Sequence, residues 1–124
     1  MNYLVDSSGW LEFFIDGRLA TRYFKYLDRT RELVVPTLVL YEVYKKIKRE
    51  RSEEEALLAV AHMGRAKVVS LDDALAMSAA DLSLKYNLAM ADAIIYATAL
   101  QEEALLVTSD VHFVGLNGVI FLKQ

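Results

Sequence analysis

No cysteine occurs among the 124 residues. That absence rules out disulfides, thiolate metal sites and cysteine nucleophiles. Histidine is almost as scarce: there are 2, His62 and His112, far apart and without ligand-like spacing, so an imidazole zinc site is not expected. Any metal would then be held by oxygen, which favours magnesium, manganese or calcium. Proline is limited to Pro36, and Gly9, Gly17, Gly64, Gly115 and Gly118 are the only glycines. Each falls where a turn or a helix end is plausible. Asparagine and glutamine are sparse and glutamate common, a composition leaning toward heat-adapted proteins. No apolar run approaches the roughly 20 residues of a membrane helix, so no membrane association is expected. The opening Met1-Asn2-Tyr3-Leu4-Val5-Asp6 has no basic stretch before its apolar residues, unlike a secretory signal, and a cytoplasmic location is the default expectation.

What the chain does have is apolar content, 55% of residues against 25% charged, enough for a globular core. Its length fits one domain spanning 1–124, which would bury about two-thirds of the surface of the unfolded chain. The net charge of −3 is low for a protein that binds nucleic acid through phosphates alone, but the charge is uneven. Lys45, Lys46, Lys48, Arg49 and Arg51 fall within seven residues, and Arg18, Arg22, Lys25, Arg29 and Arg31 form a second basic stretch.

Short apolar runs alternate with helical periodicity. Strands are predicted at Tyr3-Leu4-Val5, Leu33-Val34-Val35, Lys67 to Ser70, Leu105 to Thr108 and Val119 to Leu122. Helices are predicted from about Ser8 to Ile15, Arg18 to Leu27, a Thr37 cap to Arg51, Ser52 to Gly64, Ala74 to Tyr86 (capped by Asp72 or Ser70) and Met90 to Leu100. Strands apolar along their whole length, alternating with helices, indicate a mainly parallel five-stranded sheet covered on both faces. With right-handed crossovers this is an α/β/α three-layer sandwich.

The C-terminal ends of parallel strands share one edge. Asp6 follows the first strand and Asp110 the fourth; Glu42 lies in the early turns after the second strand, and Asp92 opens the helix leading into the fourth. Each acid has an ordinary explanation of its own: Asp6 a helix cap, Glu42 a solvated helix face, Asp92 a dipole partner, Asp110 a turn residue. Together they would require four coincidences at one rim. Two carboxylates about 4 Å apart repel by roughly 4 kcal/mol at an effective dielectric of 20, and a divalent cation offsets such a cluster at neutral pH. A metal-assisted phosphodiester hydrolase is the reading, with Asp6, Glu42 and Asp92 holding the ion or ions and Asp110 completing the shell.

The Lys45–Arg51 cluster either steers substrate phosphates or is a solvated face. Trp10, Phe13 and Phe14 are read as core in preference to a groove or dimer contact, Asp72, Asp73 and Asp81 as caps and surface, and His62 as structural or exposed. Other readings are a DNA nuclease or phosphatase on a similar acidic rim, an inactive fold kept as a binding module, and a receiver-like phosphoacceptor. The last lacks the acceptor aspartate its middle strand requires.

Tyr3-Leu4-Val5-Asp6-Ser7-Ser8, Tyr41-Glu42, the run Met90 to Leu100 containing Ala-Asp-Ala-Ile-Ile, and Leu-Val-Thr-Ser-Asp before His112-Phe113 resemble the PIN domain. They are most similar to the VapC-type toxins of prokaryotic toxin–antitoxin pairs. The resemblance implies an endoribonuclease dependent on Mg2+ or Mn2+, with Asp6, Glu42, Asp92 and Asp110 as its acids. Ser7 and Thr108 or Ser109 match the family's supporting hydroxyls. It also implies a homodimer and a cognate antitoxin whose C-terminal segment lies along the toxin groove. His112 departs from the pattern, since relatives often carry another acid there.

Overall fold

The computed structural model describes all residues, Met1–Gln124. Five strands form one sheet in the order β3-β2-β1-β4-β5, and every pairing is parallel. They are β1 (Asn2–Val5), β2 (Leu33–Pro36), β3 (Lys67–Val69), β4 (Ala104–Thr108) and β5 (Val119–Phe121). Helices α1 (Ser7–Phe14) and α2 (Ala20–Leu27) join β1 to β2. Next, α3 (Thr37–Glu50) and α4 (Glu53–Met63) join β2 to β3, and α5 (Asp73–Tyr86) and α6 (Met90–Gln101) join β3 to β4. The chain steps outward from β1 to β3, then crosses back to β4. Right-handed crossovers therefore put α1 to α4 on one face and α5 and α6 on the other. No helix is long and apolar enough to cross a membrane.

Local sequence explains most boundaries. Asp6 caps α1, accepting from Gly9 N; Ser52 caps α4, whose first turn holds Glu53, Glu54 and Glu55; Asp72 caps α5, which ends at a left-handed Asn87. Thr37 is not the cap of α3: Pro36 takes that place, its fixed φ suiting the entry, and Thr37 is the first helical residue. Full apolar cover also fails at one edge, where Lys67 and Val68 of β3 are exposed, because an outermost strand has a neighbour on one side only. The core runs through Leu4, Val5, Val34, Val35, Leu106 and Val107 of the central strands to Trp10, Tyr23, Val39 and Val43 on one side and Ile95 and Phe113. Every residue of α6 from Ala93 to Ala99 is buried. A helix apolar all round has to be enclosed, and its alanines let neighbouring elements approach closely.

This topology sets the reactive edge. The order in which strands are added reverses between β1 and β4, and the crevice beyond their carboxyl ends is where open α/β sheets place ligands. In register, Val5 lies beside Val107. One step further, Asp6 and Thr108 leave the sheet side by side.

Candidate metal centre

Asp6 is 5% exposed, so its carboxylate must be satisfied from within. Thr108 Oγ1 donates to Oδ2 at 2.5 Å, and Ser8 Oγ and Gly9 N donate to Oδ1 at 2.7 and 3.2 Å. Burial pushes the Asp6 carboxyl above its ordinary range; these three hydrogen bonds oppose the shift and the nearby Asp110 charge adds to it. Thr108 Oγ1 also accepts from Asp110 N at 2.9 Å, linking the two acids through one hydroxyl.

Asp110 caps a 3-10 turn, Val111–Phe113, by accepting from His112 N at 2.9 Å. Phe113 is buried beneath the turn. The turn carries the His112 ring back over the rim, where Nδ1 stands 3.1 Å from Asp110 Oδ1 and 3.3 Å from Asp92 Oδ2. Asp92 lies in the first turn of α6. Donor atoms of Asp92, Asp110 and His112 all fall within 4.8 Å of one another. The Asp92 carboxyl is raised, first by burial and then by Asp110, with His112 opposing.

Glu42 projects from α3 and is half-buried, and its Oε1 is buried with no hydrogen-bond partner. Its carboxyl too is raised, chiefly by burial, with the Asp6 and Asp92 charges adding and the Ser7 side chain opposing. An unpaired carboxylate oxygen away from water is unfavourable. Facing other carboxylates it is worse, and a divalent cation is the species that relieves both. The donor set therefore fits such an ion.

Of the residues expected from sequence, Asp92 and Asp110 form the tight group, and Asp6 and Glu42 are coupled to them by charge. Thr108 is built into the site; Ser109 sits behind it, accepting from Tyr23 OH at 2.9 Å. Two contributors, Ser8 and Tyr23, lie outside the set expected from sequence. Ser8 binds Asp6, while the side chain of its neighbour Ser7 acts on the Glu42 carboxyl. Tyr23, from the middle of α2, has no sequence signal at all. His112, the residue that stands where relatives often carry another acid, comes to the rim beside both Asp110 and Asp92.

Trp10 resolves as core, while Phe13 and Phe14 are partly buried and Phe14 also lines an apolar groove. Trp10 is buried and stacks on Phe14 at 5.9 Å, and Trp10, Phe13 and Phe14 pack against the partly exposed His62 ring. Asp73 and Asp81 are exposed.

Among curated proteins, none matches the chain in sequence. Solved structures do match its fold. A chain of a toxin–antitoxin complex from Klebsiella pneumoniae superposes with a TM-score of 0.82 at 22% identity, over 96% of each chain. VapC20 from Mycobacterium tuberculosis, described as a sarcin–ricin loop cleaving toxin, gives 0.79 at 14% identity over 99% of this chain and 100% of that one. A chain of VapBC2 from Rickettsia felis, bound to a DNA fragment from its promoter, gives 0.76 at 15%, over 98% of each. At these identities the likeness is one of fold. The PIN domain family model matches residues 3–118, nearly the whole length, and the chain belongs to the PIN domain family.

Proposed function

We propose that this chain is a nuclease of the VapC type: a metal-dependent endoribonuclease, the toxin of a toxin–antitoxin pair, hydrolysing RNA phosphodiester bonds. The observation that carries the reading is the convergence of Asp6, Glu42, Asp92 and Asp110 on the crevice between β1 and β4, with Glu42 Oε1 left unpartnered. Asp92 and Asp110 would hold Mg2+ or Mn2+, with Glu42 and Asp6 completing the anionic wall. When bound, such an ion makes water a better nucleophile and neutralises phosphate charge. The protein's own share is positioning. Thr108, Ser8 and Gly9 fix the Asp6 carboxylate, and the Tyr23–Ser109 contact steadies the end of β4.

A cleft of about 300 Å³ opens beside the site, lined by Ser7, Leu11, Tyr41, Glu42, Lys45, Lys46 and Arg49. Its cations are the ordinary partners of an RNA backbone, and exposed Tyr41, with Lys45 Nζ 5.4 Å from its ring centre, offers a face for a base. The basic cluster thus leads into the acids, and the overall charge of −3 conceals a local attraction for phosphate.

Two further surfaces support the reading of an antitoxin and a homodimer as partners. An apolar groove of about 450 Å³, lined by Phe14, Ile15, Ile47, Leu58 and His62 with Arg51 and Arg65 among its charged residues, suits an amphipathic antitoxin segment. Met77, Ala80 and Leu84 form an exposed apolar stripe on α5, suited to a homodimer contact.

The test is cleavage of an RNA pool, with and without Mg2+ or Mn2+, by the native chain and Asp92→Asn. Cleavage should require the ion, spare DNA, and fall more than about 100-fold in the variant, beyond what loss of an outer-shell partner costs, with an unchanged circular dichroism spectrum. Equal activity in the two proteins would refute the assignment.

A further inference from the structure

We propose that His112 is itself a metal ligand, placing one imidazole nitrogen beside the carboxylates of Asp92 and Asp110 and biasing this site toward first-row transition ions, Mn2+ in particular, over Mg2+. The inference rests on the reading above that the acidic crevice holds a divalent cation, and it names a ligand that the four-acid set leaves out.

The geometry is that of three donors sharing a corner. His112 Nδ1 is nearly equidistant from two carboxylates on separate elements, 3.1 Å from Asp110 Oδ1 and 3.3 Å from Asp92 Oδ2. Both separations are within reach of an N–H···O contact, a little longer than the roughly 2.7–2.9 Å of a charge-assisted one, so the ring bridges the two carboxylates. Adjacent ligands on an octahedral ion, each about 2.0–2.2 Å from the metal, stand about 3 Å apart. The two observed spacings fit that arrangement, and the three donor atoms lie within 4.8 Å of one another.

The ring is also placed for the role by its backbone. His112 N donates to Asp110 Oδ1, tying the turn to the neighbouring ligand, and Phe113 anchors the turn in the core. The His112 side chain is 69% exposed, so an ion reaches it from solvent without any opening of the fold. His62, the other histidine, packs against aromatic rings in the apolar groove and is not among the clustered donors.

The chemical consequence follows from the donor type. Mg2+ favours oxygen ligands and gives up its waters reluctantly. Imidazole suits first-row transition ions, whose affinity for nitrogen exceeds that of magnesium. Where an acid at position 112 would keep the site all-oxygen, the imidazole adds a neutral nitrogen donor and less negative charge. Both changes penalise Mg2+ more than Mn2+.

The experiment is pulsed EPR of Mn2+ on the untagged chain, with calorimetric titration of Mn2+ and Mg2+, for the native protein, His112→Ala and His112→Asp. The expected result is nitrogen modulation of the Mn2+ signal in the native protein and none in either variant. Mn2+ affinity should fall more than about 100-fold in His112→Ala, beyond the roughly 10–100-fold that an outer-shell partner contributes, with Mg2+ affinity changed far less. His112→Asp should bind both ions with the Mn2+ preference narrowed. Mn2+ bound to the native chain without nitrogen modulation, at an affinity that His112→Ala shares, would overturn the proposal and leave the acidic site intact. Failure of the native chain to bind either ion at millimolar concentration would overturn the underlying reading as well.

Discussion

Thr108 donates a 2.5 Å hydrogen bond to Asp6 across 102 positions of sequence, joining the end of β4 to the end of β1. The contact is a direct result of register: Val5 beside Val107 brings the next residue of each strand together as the chains leave the sheet. The same hydroxyl accepts from Asp110 N. One side chain thus orients a buried carboxylate and the backbone of a second acid.

Thr108→Val keeps the shape and deletes both bonds. It leaves the Asp6 carboxylate short of a donor and the Asp110 N–H short of an acceptor, so stability should fall by about 1–3 kcal/mol, with weakened Mn2+ binding. Thr108→Ser should restore most of both. Urea unfolding of the metal-free proteins measures the first and calorimetry the second; a valine variant identical to the parent in both would show the hydroxyl to be idle.

Glu42 links the site to pH. Its carboxyl is raised in the folded protein above the ordinary value of 4.5, so the native state binds more protons than the unfolded state between those two values. Stability therefore declines as pH rises from about 4.5 through the raised value, and is level above it. Without metal, Glu42→Gln should be more stable than the parent at pH 7, and its advantage should shrink as the pH falls toward about 4.5. Comparing the two proteins cancels the opposing effect of His62, whose depressed value makes the fold less stable as its imidazole charges. Melting temperatures measured in chelator across this range decide it. A glutamine variant less stable by the same margin at every pH would contradict the account. Saturating Mn2+ should stabilise the parent more than the variant.

The Lys45, Lys46 and Arg49 cleft makes a salt prediction. If Lys45 and Arg49 each meet an RNA phosphate, removing both in the Asp92→Asn background should reduce the slope of log affinity against log salt by about 1.4, at about 0.7 per contact on a single strand. Fluorescence anisotropy with a short RNA at several salt concentrations reads this directly. An unaltered slope would return the cluster to the status of a solvated helix face.

Gly9 is where the backbone of α1 passes closest to its neighbours. A Cβ there would lie 2.4 Å from Val5 Cγ1 and 2.5 Å from Tyr23 Cε1. Both contacts are in the core beneath the site, and Tyr23 holds Ser109. Gly9→Ala should destabilise the protein by about 1–3 kcal/mol, the usual range for overpacking, and reduce activity through the displaced tyrosine. Tyr23→Phe, which keeps the ring and loses only the hydroxyl, should cost less stability. A melting profile of Gly9→Ala indistinguishable from the parent would refute the close approach.

The alternating short Val- and Leu-rich runs and helical stretches were enough to establish the parallel sheet, because a strand covered on both faces must be apolar throughout. Once the sheet was parallel, Asp6 after Val5 and Asp110 after Thr108 had to emerge at a common edge, and Glu42 and Asp92 in early helical turns had to lie near it. That much of the rim is a matter of topology and is legible residue by residue. Local chemistry was less decisive at Pro36, which took the cap expected of Thr37, and at Val68, left exposed by its edge strand.

The contacts that tune the rim belong to tertiary structure alone. Which serine reaches Asp6 depends on the phase of α1 as it leaves the sheet, and the arrival of Tyr23 at Ser109 depends on how α2 packs over β1. His112 meets Asp92 because a 3-10 turn seated on Phe113 directs its ring toward the start of α6. Periodicity and strand order determine where a backbone goes. The direction of a side chain at the end of an element is decided by packing from segments distant in sequence, and a single chain read in order carries no record of those neighbours.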